Sequence, residues 1–555
     1  MRYTAFLILL FIISNLNAQT GPDKYWVQFT DKVNSPYSID QPEEFLSYRA
    51  IDRRNRYNIA IIEQDKPVNP EYVQAVFDFG VNIIHSSKWF NGISIQTDNS
   101  ALLDSIRALP FVAQIKMVKT LQSSYPDIKL EKLGKLAGYM NPGGTDTTFF
   151  DYGFASEQTG MIMGHILHNQ GFHGQGMIIA VLDGGFTNVN INPAFDSLWY
   201  NNQILDHWDF VKGTPLSFNS HNHGGQVLSL MGANMPGSFV GTAPKASYIL
   251  LRTEDGASEF RIEEDNWVAG AEFADSAGVD LINSSLGYTT FDDTSMNYTY
   301  MDMDGNTTII TQAADIAAAK GILVVTSASN EGAREWHYIG APADGDSVFS
   351  IGAVDAQGVY AAFSSTGPTY DGRIKPNVCA QGSGAAVAGS QGTVFFGNGT
   401  SYSSPIICGM TACLWQSNKS LNNMQIIEII EQSSSQASQP DSLLGYGIPD
   451  YSKAFFGAQG IDTSAAGSEN IIRSFPNPFT SYLNIDYYAP TPQEFEIRII
   501  DLLGKIVYAK TVDPGYTNFH RIRLSNLTDL KAGNYLLRII TKDGFQSSRI
   551  IKQTQ

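Results

Sequence analysis

The period of the apolar residues changes several times along the chain, and each change marks a unit. Between residues 25 and about 118, KYWVQFTD and VNIIHSSKWFNGISIQT have strand character, whereas EEFLSYRAIDRRNRY and ALLDSIRAL have helical spacing. The following stretch, LQSSYPDIKLEKLGKLAGYMNPGGTDTTF, has no period, carries Lys129, Lys132, Lys135 and a Gly-Gly, and reads as an exposed linker. From about 155 the runs GMIIAVLDGG, ASYILLRTE, DLINSSLG, GILVVTSASN and SVFSIGAVD are almost continuously apolar, end in small residues and alternate with helical segments. Strands apolar on both faces, with helices between them, predict a parallel α/β sheet covered on both sides. Sites in such sheets lie beyond the carboxyl ends of the strands, where Asp, Ser and Asn cluster here. A Gly/Ser/Ala-rich stretch, FGAQGIDTSAAGSEN, ends that pattern. Beyond it YLNIDYYA, EFEIRIIDLLG, KIVYAKTV, HRIRLSNL, NYLLRIITKDG and SSRIIKQ, separated by turn residues, predict a small antiparallel β-sandwich.

The first residues, MRYTAFLILLFIISNLNAQT, place Arg2 before an apolar run over 5–13. That run is far short of the roughly 20 residues needed to span a bilayer and fits a signal-peptide core, with cleavage after Ala18. No later stretch is long and apolar enough to span, so the chain is expected to be exported and soluble. A length of 555 residues suggests three or four units, and 43% hydrophobic against 16% charged residues is a globular balance. The formal net charge of −18 argues against binding nucleic acid or an anionic membrane surface. From Gly467 onward the chain holds 11 Lys and Arg against 8 Asp and Glu, a net +3, which leaves −21 on the remainder and marks the C-terminal stretch as a separate module. Cys379, Cys408 and Cys413 are too few for a disulfide framework, have no zinc spacing, and read as buried thiols.

Three segments can carry acyl-transfer chemistry together. Asp183 ends the strand in AVLDGG, His223 precedes a helical run in SHNHGGQVLSLMGAN, and Ser401 follows a Gly-rich turn into the apolar helix of GNGTSYSSPIICGMTACLWQ. Such chemistry needs a hydroxyl, an imidazole to take its proton, and a carboxylate to orient the imidazole. Each residue alone reads more readily as a cap or turn residue. His221 beside His223 suggests a metal pair, but no third ligand has suitable spacing.

Taken with their flanks, these segments make residues 155–456 resemble a subtilisin-like serine protease, a subtilase. LDGG is similar to the family's D-[ST]-G, HGGQVLS to H-G-T-H-V-A-G and GTSYSSP to G-T-S-M-A-S-P. GTAPKASYILLRT, LINSSLG, TSASNEG, AAFSSTGP and GRIKPNVCAQG match further family segments in the family's order, and Asp…His…Ser is the subtilisin order. The resemblance implies a doubly wound parallel sheet with flanking helices. It implies that Ser401 is the nucleophile, His223 the base and then the acid, Asp183 the orienting carboxylate, and Asn330 an oxyanion-hole donor. Ser284, Ser285, Leu286 and Gly287, with Ser327, Ala328 and Ser329, resemble the segments that line the bound peptide. Gly184, Gln226, Leu228-Ser229 and Tyr402-Ser403 depart from the family pattern, though none replaces a proton-transfer group. No cofactor is implied and no metal site is assigned. Asp302 and Asp304 in YMDMDGNTT resemble a calcium-loop start without the later Glu, and read as a solvated acidic loop.

The flanks resemble known modules as well. Residues 19–118 are similar to the small α/β propeptide domain of subtilases, which assists folding and then blocks the site, with maturation expected in a linker over 119–154. After a second linker over 457–470, residues 471–555, opening FPNPFTSYLNIDY, resemble the C-terminal sorting domain of type IX secretion cargo. The expectation is a secreted or cell-surface serine endopeptidase, exported through the periplasm of a Bacteroidetes-type Gram-negative bacterium. Its expected partners are protein or peptide substrates, its own propeptide and the outer-membrane type IX machinery. Two alternatives stay open: a catalytically inactive subtilase-fold binding or adhesive protein, and an esterase on another fold, against which stands the lack of G-x-S-x-G around Ser401.

Overall fold

The structure, a computed structural model, describes residues 23–120, 149–460, 472–488, 493–513, 519–542 and 544–554. The expected signal peptide, most of the first linker and the second linker from 461 lie outside the described residues.

The N-terminal unit comprises β1 (Asp23–Phe29), α1 (Tyr48–Tyr57), α2 (Pro70–Phe77), β2 (Asn82–Ser87), β3 (Gly92–Thr97), α3 (Ala101–Arg107) and β4 (Val112–Lys119). Its sheet has the order β2-β3-β1-β4, antiparallel throughout. Helix α1 starts where the Ser47 hydroxyl accepts from the Ala50 N–H and stops at Asn58, whose φ of 57° only a residue tolerant of the left-handed region adopts. The apolar period did not single out α2. Its start is local chemistry, with Asn69 accepting from the Glu71 N–H and Pro70 in the first turn.

The central unit runs through α4 (Ser156–Met161), α5 (Gly164–Asn169), β5 (Ile178–Asp183), α6 (Asp196–Tyr200), β6 (Ile204–Asp209), β7 (Thr214–Pro215), α7 (His223–Gly232), β8 (Asn234–Met235), β9 (Phe239–Val240), β10 (Ser247–Arg252), α8 (Ile262–Ala277), β11 (Leu281–Ser284), α9 (Ile309–Ala319), β12 (Leu323–Ser327), β13 (Phe349–Val354), β14 (Val378–Gln381), β15 (Ser383–Ala388), β16 (Val394–Asn398), α10 (Thr400–Ser417), α11 (Asn423–Ser433) and α12 (Tyr451–Ala458). The main sheet has the order β14-β13-β12-β11-β5-β10-β6-β7. It is parallel except for the two-residue edge strand β7, which pairs antiparallel with β6.

Alternation within each strand explains the apolar runs. Ile179 and Val181 of β5 enter the core on the α7 and α10 side, whereas Ala180 and Leu182 enter the core on the α8 and α9 side. Leu250 and Leu323 take the first face, and Ile249, Leu251 and Val324 the second. Both faces are therefore apolar because both are covered. The strand order reverses around β5, so the carboxyl end of β5 is a topological switch point.

The C-terminal unit contains β17 (Ile472–Phe475), β18 (Leu483–Tyr488), β19 (Phe495–Ile500), β20 (Ile506–Val512), β21 (Phe519–Leu524), β22 (Gly533–Thr541) and β23 (Gly544–Lys552). They form sheets of order β17-β18-β21 and β20-β19-β22-β23. Leu483, Ile485 and Tyr487 of one sheet meet Ile497, Ile499, Leu537 and Ile539 of the other in a shared core, as a sandwich requires. Among the described residues, no helix is long and apolar enough to cross a membrane.

The N-terminal unit rests on α8. Glu272 accepts from the Ser87 hydroxyl (2.5 Å) and the N–H groups of Lys88 (2.9 Å) and Trp89 (3.0 Å). Asp275 pairs with Arg53 (2.6 Å), Arg54 (3.0 Å) and Lys88 (3.0 Å), all of them buried.

Candidate active site

Asp183 is the last residue of β5 and has no exposed surface. Its Oδ1 accepts from the Gly184 N–H (2.7 Å), and its carbonyl accepts from the Thr253 N–H (3.0 Å). Arg252, opposite Asp183 in the β5/β10 register, donates to the Gly184 carbonyl (3.0 Å) and pairs with Asp209 (3.0 Å). The turn after the carboxylate is thus fastened from the neighbouring strand, a role the sequence pattern did not reveal.

His223 is the first residue of α7, so the helix includes the two glycines expected to precede it and starts three residues earlier. Its Nδ1 lies 2.8 Å from Asp183 Oδ1 and 3.0 Å from Oδ2. A carboxylate only accepts, so Nδ1 carries the proton and Nε2 is the basic nitrogen. The His223 N–H donates to His221 Nδ1 (3.2 Å), so His221 serves the backbone here.

Ser401 sits in the first turn of α10, 5% exposed. Its hydroxyl donates to the Ser285 carbonyl (3.3 Å), and its own carbonyl accepts from the Ser285 hydroxyl (3.1 Å). Pro405 explains the second bond. It stands four residues on, has no N–H to give to the Ser401 carbonyl, and so leaves that oxygen for Ser285. Asn330 follows β12, and its Oδ1 accepts from the N–H (2.9 Å) and hydroxyl (3.0 Å) of Thr400. With the oxygen held, the orientation of the side-chain NH2 is fixed beside the helix start that carries Ser401.

The two expected peptide-lining segments leave neighbouring parallel strands, Ser284 opposite Thr326. Ser284 itself is turned inward and accepts from Trp267 Nε1 (2.9 Å), and Leu286 and Ser327 are buried. Ala328 packs with Ile339 and Ala343. Beyond the strands, a side chain on Gly287 would strike the Ser329 hydroxyl, and Ser329 holds a φ of 81°. Asp302 and Asp304 close their own turns by accepting from Thr299 and from Asn306 and Thr307. Cys379, Cys408 and Cys413 are buried free thiols whose pKa burial pushes up.

Ionisable groups crowd the start of α8. Burial raises Glu264 to about 8 against the opposing Tyr298 hydrogen bonds, and raises Asp265 to about 7 against Ser94 and Lys24. Among the described residues, Glu254, Glu259 and Glu263 form a group with metal-ligand spacing.

Comparison with known proteins decides the family. Residues 174–447 match the subtilase family. The central domain is a subtilase. Residues 24–132 match the peptidase S8 propeptide domain of Bacteroidota, and residues 473–553 match a secretion system C-terminal sorting domain. The architecture is therefore a subtilase domain between a Bacteroidota-type propeptide and a type IX sorting domain, and the protein is secreted or cell-surface in a Bacteroidetes-type Gram-negative bacterium. The subtilase domain is similar to M-protease of Shouchella clausii (strain KSM-K16), 28% identical over 260 residues that cover 47% of this chain and 59% of that protein. It is also similar to subtilisin Savinase of Lederbergia lenta, 28% identical over 47% of this chain and 83% of that protein. Subtilisin E of Bacillus subtilis (strain 168) is 29% identical over 48% of this chain and 62% of its own length. The chain thus spans less than two thirds of M-protease and of subtilisin E. The crystal structure of MycP1 from Mycobacterium smegmatis covers 58% of this chain and 89% of its own, with 20% identity and a TM-score of 0.42.

Proposed function

We propose that this subtilase is a serine endopeptidase that cleaves peptide bonds through a Ser401 acyl-enzyme. The observation that carries the reading is the double contact of His223 Nδ1 with Asp183, which leaves Nε2 as the base, together with Ser401 at a helix start. As Ser401 Oγ attacks the carbonyl carbon, His223 Nε2 takes its proton. The oxyanion gains hydrogen bonds from the Asn330 side-chain NH2 and the Ser401 N–H, at the positive end of α10. His223 then returns the proton to the departing amine, and water, deprotonated by His223, releases the acyl group. The N-terminal unit, seated on Glu272 and Asp275, acts as the inhibitor until cleavage in the linker, and the C-terminal sandwich engages the type IX machinery.

The test is fluorophosphonate labelling of the processed protein, with peptide mapping and a Ser401→Ala control. The expected result is label on Ser401 that is lost on denaturation, with Ser401→Ala folded but inactive towards peptides. A folded, fully processed chain that takes no label would make this an inactive scaffold with a binding role.

A further inference from the structure

Thr253, whose N–H holds the Asp183 carbonyl, begins a loop that leads from β10 to α8. Two glutamates lie on it and a third opens α8. Glu254 comes first; a Cβ placed on Gly184 would stand 3.3 Å from its Oε2, so this carboxylate abuts the turn after Asp183. Glu259 lies further along, and Glu263 in the first turn of α8. We propose that Glu254, Glu259 and Glu263 bind one Ca2+ ion beside the turn that follows Asp183.

The first support is distance. One carboxylate oxygen from each residue lies within 4.8 Å of the others. Two oxygens on one ion are separated by at most twice the metal–oxygen distance, about 4.6–5.2 Å for Ca2+ and about 4.0–4.2 Å for Mg2+. The donor set is entirely oxygen, which suits a hard cation.

The second support is independent of the acidic count. Glu263 is 1% exposed; one oxygen accepts from the Asp255 N–H (3.0 Å), but Oε2 is buried with no hydrogen-bond partner. Tyr288, fully buried, also has a hydroxyl with no partner, and the charges that act on it most are Glu254, Glu263 and Glu259. Two buried polar oxygens left unsatisfied beside three carboxylates are costly, and a cation compensates both. An ion here would pin the loop to the strand end that holds Asp183.

The experiment is calorimetric Ca2+ titration of the chelator-treated, intact Ser401→Ala chain, with tyrosine-sensitised Tb3+ luminescence in parallel. Because the readout is binding, its result is separate from whether the chain hydrolyses peptides. The expected result is one saturable Ca2+ site, with Mg2+ binding at least about tenfold weaker and Glu259→Gln and Glu263→Gln each weakening Ca2+ about tenfold or more. Tyr288→Phe should dim the Tb3+ emission. Absence of saturable binding, or binding untouched by the Glu259→Gln/Glu263→Gln double variant, overturns the proposal. So does a cluster indifferent to Ca2+ whose neutralisation instead changes the preference for basic residues in peptide substrates.

Discussion

Tyr402 donates a hydrogen bond to Gln226 Oε1 across 3.0 Å, both residues buried. These are two of the positions at which the chain departs from the family pattern, and they are each other's partner. The bond ties α10, with Ser401, to α7, with His223. Gly397 makes room for it, since a Cβ there would lie 2.6 Å from the Tyr402 ring. Tyr402→Phe is expected to lower kcat/KM severalfold, and a double-mutant cycle with Gln226→Leu should show a coupling of about 1 kcal/mol. Additive effects in that cycle would mean that the two positions drifted separately.

Gly224 meets Asp183 at the start of α7. An added Cβ would lie 2.9 Å from Asp183 Cβ and 2.6 Å from the Gly185 carbonyl oxygen. Gly224→Ala must therefore push the helix that carries His223 away from its carboxylate. The expected outcome is a kcat about tenfold lower or worse with KM little changed, in steady-state peptide hydrolysis. Unchanged kinetics would show that the helix start yields freely.

Asn330 is expected to act in the transition state alone. Asn330→Ala should reduce kcat about 10²–10³-fold and leave KM nearly constant. An equal rise in KM at constant kcat would assign Asn330 to substrate binding, through its hold on Thr400.

The contact between the N-terminal unit and α8 has a pH dependence of calculable sign. Burial alone would raise the Asp275 carboxyl, but Lys88, Arg54 and Arg53 hold it well below its usual range. A depressed carboxyl contributes stability above its ordinary pKa and loses it as pH falls. Asp265 is the reverse case: raised from 3.8 to about 7 by burial, it contributes most below 3.8 and loses its contribution as pH rises through about 7. Melting of the intact chain should thus weaken as pH rises from about 4 to about 7, and Asp265→Asn should flatten that fall. Identical slopes would exclude Asp265 as the cause. Asp275→Asn at neutral pH should cost about 3–5 kcal/mol, because it strands buried cations. By contrast Asp52→Asn, which removes the exposed partner of Arg56, should cost at most about 1 kcal/mol.

The sequence by itself determined the three-unit order, the sheet's main strands and the choice of the residues proposed to react. IIAVLD and LVVTS show burial on both faces because their residues are apolar up to the small or polar residues that end them, and a short stretch of sequence suffices to read that. The helix at 70–77, set by a cap and a proline, and the short strands β6, β14 and β17 carry too few periodic residues to stand out. Tertiary structure alone decided which groups meet. Asp183 and His223 are 40 residues apart, Ser285 and Ser401 116, and Gln226 and Tyr402 176. Their contacts follow from strand order around β5 and from α7 and α10 sharing one face of the sheet. Glu254, Glu259 and Glu263 are close in sequence, yet only the burial of Glu263 and of the Tyr288 hydroxyl beside them separates a cation site from a solvated acidic loop. Local chemistry is written in neighbours along the chain; desolvation and long-range pairing exist only once the sheet has closed over them.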